Sequence, residues 1–372
     1  MNPQTATLFS PIRVGAIDAD NRIFMAPLTR CRSTPSSDAP NALNVEYYEQ
    51  RASAGIIFSE ATQVLPTGKG YVGTPGIYST EQEAGWKRVT AAVHAKGGKI
   101  VAQLWHVGAI SHPDLQPEHV LPVSASTGYN PGGTIYTQNG KVDRVAARGL
   151  ETAEVKAYVE AYRHSSEVAK RAGFDGVEIH SANGYLLEQF IRDSSNKRTD
   201  EYGGSITNRI RFTLDVVDAA ISVWGKERIG IRLSPVTASN GAMPDSTTQA
   251  TYGALVVALA ERGIAFVHFI EGNTGGARDF KDFDFAWAKK TVSAAGVTYI
   301  GNNKYDRAMA IDAVAHGAVD AVAFGVPFIA NPDLPERLRR DAPLNAANPA
   351  SFYSAGPVGY TDYPALPGSA AV

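Results

Sequence analysis

Three polar side chains close one apolar run: His180, Asn183 and Tyr185, in the stretch Phe174-Asp-Gly-Val-Glu-Ile-His-Ser-Ala-Asn-Gly-Tyr185. An imidazole and an amide can hold an oxygen through hydrogen bonds, and a phenol, protonated at neutral pH, can serve as a general acid. Singly, each has an ordinary use as a satisfied core histidine, a loop-capping amide or a packing aromatic. Grouped at one strand end, they point to catalysis in which an oxygen is bound and a proton supplied.

The elements that must position them alternate along the chain. β-Rich runs fall at residues 22–28, 55–61, 99–106, 174–181, 229–235, 265–271, 297–301 and 321–325. Helical periodicity occupies segments between them, including 80–96, 152–171, 208–224, 247–261 and 305–315. Such alternation implies parallel strands, and eight of them favour a (β/α)₈ barrel, with residues 1–372 forming a single domain. A doubly wound sheet would carry a Gly-rich turn after its first strand, whereas here that strand ends in Pro27-Leu28-Thr29-Arg30. Thr152 is expected to cap its helix without a partner acid at Val155, and Gly173 and Gly263 to stop theirs. Residues 112–148, rich in Pro, Gly, Ser and Thr, read as an excursion capping one barrel end, with a small hairpin around 135–142. The proline-rich stretch 345–372 reads as an irregular tail.

Composition narrows the partners. With 44% hydrophobic and 19% charged residues the chain is ordinary for a soluble globular protein. Thirty-five basic against 37 acidic residues give a net charge of -2, no field for nucleic acid or an acidic membrane. Cys31 is the only cysteine, which excludes an internal disulfide. The N-terminus lacks the pattern of a signal peptide and no apolar run reaches the roughly 18 residues of a membrane span, so a cytoplasmic location is expected.

In barrels of this kind the chemistry stands at the C-terminal strand ends. There the sequence puts Thr29, Ala61, Gln103, Trp105, His106, His180, Asn183, Tyr185, Arg232, Gly301, Asn302, Asn303 and Gly325. Acids are few: Glu60, Glu178 and Glu271, with His106, His180 and His268, leave a metal reading open by spacing, although no metal is expected. Thr29, Gln103 and Arg232 suit a planar heterocycle bearing carbonyls and ring nitrogens. The loops after strands seven and eight suit a phosphate, and no G-x-G-x-x-G follows a first strand. Heterocycle plus phosphate points to flavin mononucleotide (FMN), bound non-covalently.

At these residues the chain resembles the Old Yellow Enzyme family of FMN-dependent ene-reductases, nearest the bacterial subgroup that includes N-ethylmaleimide and pentaerythritol tetranitrate reductases. The resemblance runs from Leu8 to about Tyr363 and rests on Met25-Ala-Pro-Leu-Thr-Arg30, Ala102-Gln-Leu-Trp-His106, Val177-Glu-Ile-His-Ser-Ala-Asn-Gly-Tyr185, Asp200-Glu-Tyr-Gly-Gly-Ser205 with Asn208-Arg209, and Asn331-Pro-Asp-Leu334. It implies that Thr29 bonds the flavin C4 carbonyl, Gln103 holds the pyrimidine edge, Arg232 sits near N1 and C2=O, and Pro27 and Ala61 touch the ring. It further implies that His180 and Asn183 bind the carbonyl oxygen of an activated alkene and that Tyr185 protonates its α-carbon. Tyr71, Trp105 and Tyr353 would line the pocket. The reductant would be NADPH, reacting in ping-pong fashion, in a monomer or homodimer.

Two positions depart from the family's pattern. Val326 follows Gly325 where relatives carry an arginine beside the phosphate, and Lys304 is the candidate to replace its charge. Cys31 lies two residues beyond the position, here Thr29, where another subgroup has a redox-tuning cysteine, and is expected to be a small buried thiol. Arg232 has an alternative use as a buried ion-pair partner of Glu178 or Glu60. Other functions stay open: a hydroxy-acid oxidase with His180 as base, a Schiff-base aldolase using Lys304, or a barrel that binds a ligand after losing its flavin.

Overall fold

Eight short parallel strands close into a ring in the computed structural model, which describes residues 3–279 and 281–368. They are β1 (Ile23–Met25), β2 (Ile57–Phe58), β3 (Ile100–Trp105), β4 (Gly176–Ser181), β5 (Ile229–Leu233), β6 (Phe266–Ile270), β7 (Thr298–Asn302) and β8 (Ala321–Phe324). The register closes where Val322 of β8 pairs with Ile23 of β1. All six residues of β3 and all six of β4 are buried, as expected when parallel strands are covered on both faces. The first two strands are shorter than their apolar runs suggest, because those runs continue into strand-end turns.

An outer helix follows each strand: α1 (Ala42–Glu49), α2 (Thr80–Ala95), α3 (Thr152–Arg171), α4 (Ile206–Trp224), α5 (Thr248–Arg262), α6 (Phe285–Ala294), α7 (Arg307–Ala315) and α8 (Leu334–Arg340), with short extra helices at Leu186–Ile191 after β4 and Val326–Ala330 after β8. On α3 the buried side includes Val155, Tyr158, Tyr162 and Val168, spaced by three or four and their multiples, so one face meets the barrel. The cap of α3 is displaced by one residue from expectation. Glu151 stands at the N-cap with its N–H on Glu154 Oε2 at 2.8 Å, while the Thr152 hydroxyl is taken by Asp200 at 2.6 Å. Likewise α4 begins at Ile206, because the Ser205 hydroxyl accepts the Asn208 N–H. Asp200 also accepts from Arg198 and the Tyr202 N–H, so this motif is a structural turn.

The two barrel ends differ. A hairpin of Ile12–Val14 and Ile17–Ala19 covers the N-terminal end, where Val14, Ile17 and Ala19 join Phe24, Phe58, Phe266 and Ile300 in one apolar cluster. Gly15 is needed at its tip: φ is 57°, and a Cβ would lie 2.2 Å from the Glu227 carbonyl oxygen. The C-terminal end is polar. The excursion over 112–148 holds the expected hairpin, Thr134–Thr137 against Gly140–Asp143, with Ile135 opposite Val142. Arg144, just past it, reaches the carbonyl oxygen of Asn240 in the loop after β5 at 3.3 Å.

The chain beyond α8 is irregular apart from a single turn at Pro349–Ser351. It packs back on β1's turn: Arg30 donates to the carbonyls of Phe352 and Gly359, and Tyr360 stacks on Tyr47 at 4.1 Å. Residues 369–372 of the expected tail, and Phe280 in the loop after β6, lie outside the described residues. Among the described residues no helix is long and apolar enough to cross a membrane.

Candidate active site

The last turn of β4 brings the expected trio together. His180 is 4% exposed, and burial, followed by the charges of Arg232 and His268, holds its imidazole well below the ordinary value. It is therefore neutral at pH 7, with one ring N–H to give, and its Nδ1 has no hydrogen-bond partner. Asn183 follows with φ 59°, a conformation asparagine tolerates better than most residues. Its backbone N–H donates to Ser234 Oγ at 2.8 Å, and its Oδ1 accepts from Thr274 at 2.7 Å, which leaves the amide NH2 as the end that can donate. The Tyr185 ring stands edge-on to His180 (5.1 Å, 87°) and to Trp105 (5.0 Å, 84°). Burial raises its phenol above the ordinary value, so it is protonated at neutral pH.

Trp105 and Tyr71 form the facing wall. Their rings stack at 5.9 Å and 11°, and they cluster with Ala61 and Tyr185. Tyr353 is 69% exposed and stands at the rim.

Beneath this wall the barrel interior is polar. Gln103 Nε2 donates to Glu178 Oε1 at 2.7 Å, so the amide oxygen is the end turned away. Glu178 Oε2 pairs with His268 Nδ1 at 2.8 Å. Arg232 does not form the ion pair with Glu178 or Glu60 that its position made conceivable. Its Nη2 donates to Asn302 Oδ1 at 2.8 Å and its Nε has no partner, although the residue is 7% exposed. Burial pulls this guanidinium down to about 10, still a cation at pH 7. Glu178 and His268 are therefore a buried dyad, and no group of three or more acids, histidines or cysteines is placed to hold a metal among the described residues.

Thr29, partly exposed after β1, makes no hydrogen bond among the described residues, and Pro27 is buried beside it. The other side of the mouth is built from backbone. Asn302 bridges Arg232 to the Ala323 carbonyl of β8. Asn303, at φ 124°, ties the loop after β6 by donating to the carbonyls of Glu271 and Asn273. Gly301 faces outward, since a Cβ there would meet Val319 at 2.7 Å. At Gly325 a Cβ would meet only Leu28, at 3.6 Å, and Val326 is 54% exposed. Lys304 is exposed and forms no ion pair among the described residues. Cys31, with its backbone at φ 58°, is partly exposed as a residue, while burial pushes its thiol up to about 12, as expected of a small buried thiol.

Sequence reasoning missed Asn240, Thr274 and Arg144. All three sit on loops, where no periodicity signals which side chain turns inward. Thr274 lies in the Gly-rich run 272–276, which is a loop contacting the pocket and not a phosphate cradle.

The unpartnered donors at Arg232 Nε, Trp105 Nε1 and His180 Nδ1, together with the free Thr29 hydroxyl, fit a planar heterocycle with carbonyls and ring nitrogens. A parallel barrel with such donors at its C-terminal mouth defines a cofactor-dependent barrel enzyme. Over residues 7–345 the chain matches the NADH:flavin oxidoreductase / NADH oxidase family, and it belongs to that family. 12-Oxophytodienoate reductase 1 of Oryza sativa subsp. japonica is 40% identical over 368 residues, covering 96% of this chain and 93% of that protein. A probable flavin mononucleotide-dependent alkene reductase of Leishmania infantum is 41% identical, covering 96% and 97%. Among solved structures, morphinone reductase superposes with a TM-score of 0.91 at 45% identity over 96% of each chain. Another structure of that enzyme is a complex with tetrahydroNAD. The Old Yellow Enzyme homologue from Zymomonas mobilis gives 0.90 at 42% identity, covering 97% of this chain and all of that one. The chain is thus an FMN-dependent flavin oxidoreductase of the Old Yellow Enzyme type, an alkene reductase by class, as the resemblance implied.

Proposed function

We propose that this protein reduces the C=C bond of α,β-unsaturated carbonyl compounds, with NADPH as reductant, in a single cytoplasmic domain that works as a monomer or homodimer. The observation that carries this reading is the convergence of neutral His180, the Asn183 amide and the Tyr185 phenol beside buried Arg232. FMN bound at the mouth supplies hydride chemistry. Thr29, Gln103 and Arg232 would hold its heterocycle, with the Arg232 charge favouring the electron-rich state, and Pro27 and Ala61 would contact the ring. Gly301, Asn302, Asn303, Gly325 and Val326 would hold the phosphate end, mainly through backbone. His180 and Asn183 would donate to the substrate's carbonyl oxygen, making the β-carbon electrophilic. Tyr185 would give its proton to the α-carbon from the opposite side. Tyr71, Trp105 and Tyr353 would shape the pocket, and nitroalkenes or nitrate esters fit the same oxygen-binding donors.

The test is anaerobic mixing. The purified protein should show a flavin band that bleaches with NADPH and returns with cyclohexenone; bleaching by a hydroxy acid would instead mark an oxidase. Tyr185→Phe should slow reoxidation by cyclohexenone roughly a hundredfold or more while leaving reduction by NADPH intact. Equal loss in both halves would contradict the role given to Tyr185.

The missing phosphate-side arginine gives a second prediction. If exposed Lys304 supplies the charge, Lys304→Ala should weaken FMN binding about fivefold at most, because exposed ion pairs contribute roughly 0.2–1 kcal/mol. Unchanged affinity by fluorescence titration of the apoprotein would leave the phosphate to backbone groups alone.

A further inference from the structure

An acid that gives up a proton in each turnover must recover one, and Tyr185 stands in a place where few groups can supply it. Its ring packs against Trp105 and His180, neither of which is an acid there: the indole N–H does not titrate, and the His180 imidazole is neutral. Asn240 hydrogen-bonds the phenol and donates to the Asn183 carbonyl at 2.9 Å, but an amide releases no proton. Arg144 and Tyr353 act on Tyr185 only through space, and a guanidinium does not deprotonate in a protein. One group remains. The Tyr71 hydroxyl lies 3.1 Å from the Tyr185 hydroxyl.

Tyr71 is held for that contact. It sits in the loop after β2, its ring stacked on Trp105, and its carbonyl accepts the Thr74 hydroxyl at 2.9 Å. The residue is partly exposed, but burial, followed by the neighbouring Tyr185 phenol, holds its own phenol well above the ordinary value, so Tyr71 stays protonated and can donate to the Tyr185 oxygen. Resting on the reading of Tyr185 as general acid, we propose that Tyr71 is its proton relay, passing a solvent proton to the Tyr185 oxygen as Tyr185 protonates the substrate.

The step balances without another reactant. The Tyr185 O–H bond breaks as the α-carbon–H bond forms, the Tyr71 O–H bond breaks as the Tyr185 O–H bond is remade, and a proton from solvent restores Tyr71. No electrons move in the relay. The Asn240 hydrogen bond and the nearby Arg144 cation, whose charge acts on both phenols, favour the negative charge that passes along the pair. Tyr71 is thus more than a pocket wall: it acts through Tyr185.

The experiment is stopped-flow reoxidation of the reduced holoenzyme by cyclohexenone, in H2O/D2O mixtures, for wild type, Tyr71→Phe, Tyr185→Phe and the double variant. Tyr71→Phe should slow reoxidation about tenfold, less than loss of the acid itself, and slow it more than it slows reduction by NADPH. The rate against deuterium fraction should curve in wild type, where more than one proton moves, and become linear in Tyr71→Phe. In the Tyr185→Phe background, removing the Tyr71 hydroxyl should cost nothing further, since its path to the substrate is gone. An unchanged rate and isotope profile in Tyr71→Phe would overturn the relay, as would further slowing in the double variant, which marks pocket packing. If Tyr185→Phe alone reoxidises at the wild-type rate, the general-acid reading fails and the relay with it.

Discussion

The turn after β4 and the turn after β1 both rest on a buried carboxylate, but the two are paired differently. Behind Asn183 and Gly184 lies Glu188, fully buried, whose Oε1 accepts from Arg192 (3.0 Å), Ser234 (2.8 Å) and Tyr252 (2.7 Å) and whose Oε2 accepts the Gly184 N–H (2.5 Å). Behind Thr29 lies Glu60, 1% exposed, whose hydrogen-bond donors are neutral: the Arg30 N–H (3.2 Å), the Cys31 N–H, Asn44 (3.3 Å) and Tyr48 (3.4 Å). The Arg30 guanidinium turns away to the C-terminal segment. A buried carboxylate with a guanidinium partner is an ion pair; one without a bonded cation is governed by burial, which here, only partly offset by hydrogen bonds and the more distant Arg30 charge, pushes Glu60 up to about 7. The difference separates a rigid turn, carrying the oxygen-binding amide, from one whose support titrates near neutrality.

Breaking the ion pair should have the largest effect. Glu188→Ala leaves the Arg192 guanidinium, 1% exposed, without its anion, and such losses cost about 3–5 kcal/mol. Chemical denaturation should register that drop, and a loss under about 1 kcal/mol would show that the pair is no stronger than a surface one. The Glu60 side should instead reveal itself through pH. Its folded pKa lies above the unfolded value, so its contribution is full below about pH 4.5 and is lost as pH rises through about 7. Relative to Glu60→Gln, which cannot titrate, wild type should lose up to ~3 kcal/mol of stability between pH 5 and 8. A stability difference independent of pH would remove the contrast between the turns.

This contrast also marks where sequence reading ends. The strand runs and the glycine stops after α3 and α5 were legible, because burial on both faces of a parallel strand leaves an apolar run and a helix needs a left-handed exit, as at Gly263 with φ 60°. His180, Asn183 and Tyr185 were legible as a group because they crowd one strand end. The pairing of Glu188 was not, since its three Oε1 donors come from α5, from the turn after β5 and from a residue four positions on. No spacing rule reports contacts made across the fold. The N-terminal hairpin escaped for a related reason: three-residue strands carry too little periodicity to be seen. The cap at Glu151 was misplaced because the Thr152 hydroxyl had a distant partner in Asp200.

Ser234 offers the finest probe, because its hydroxyl ties the Asn183 N–H to the Glu188 network, beside the direct bond from the Gly184 N–H to Glu188. It accepts the Asn183 N–H at 2.8 Å and donates to Glu188 at 2.8 Å, so Ser234→Ala keeps the Glu188–Arg192 pair and the Gly184 bond while freeing the Asn183 N–H. The expected loss of stability combines about 1 kcal/mol for the Asn183 N–H bond with roughly 1.5–3 kcal/mol for the bond to the ionised Glu188. If the rigidity of this turn serves oxygen binding, the same change should weaken binding of an unsaturated ketone up to about fivefold, the equivalent of the Asn183 bond alone, without altering the rate of flavin reduction. Titration of the visible flavin spectrum with the ketone would read the affinity directly. A loss of stability with no loss of affinity would mean that φ 59° at Asn183 is maintained without the Ser234 hydroxyl, by the Thr274 and Asn240 contacts and the Gly184 N–H bond to Glu188.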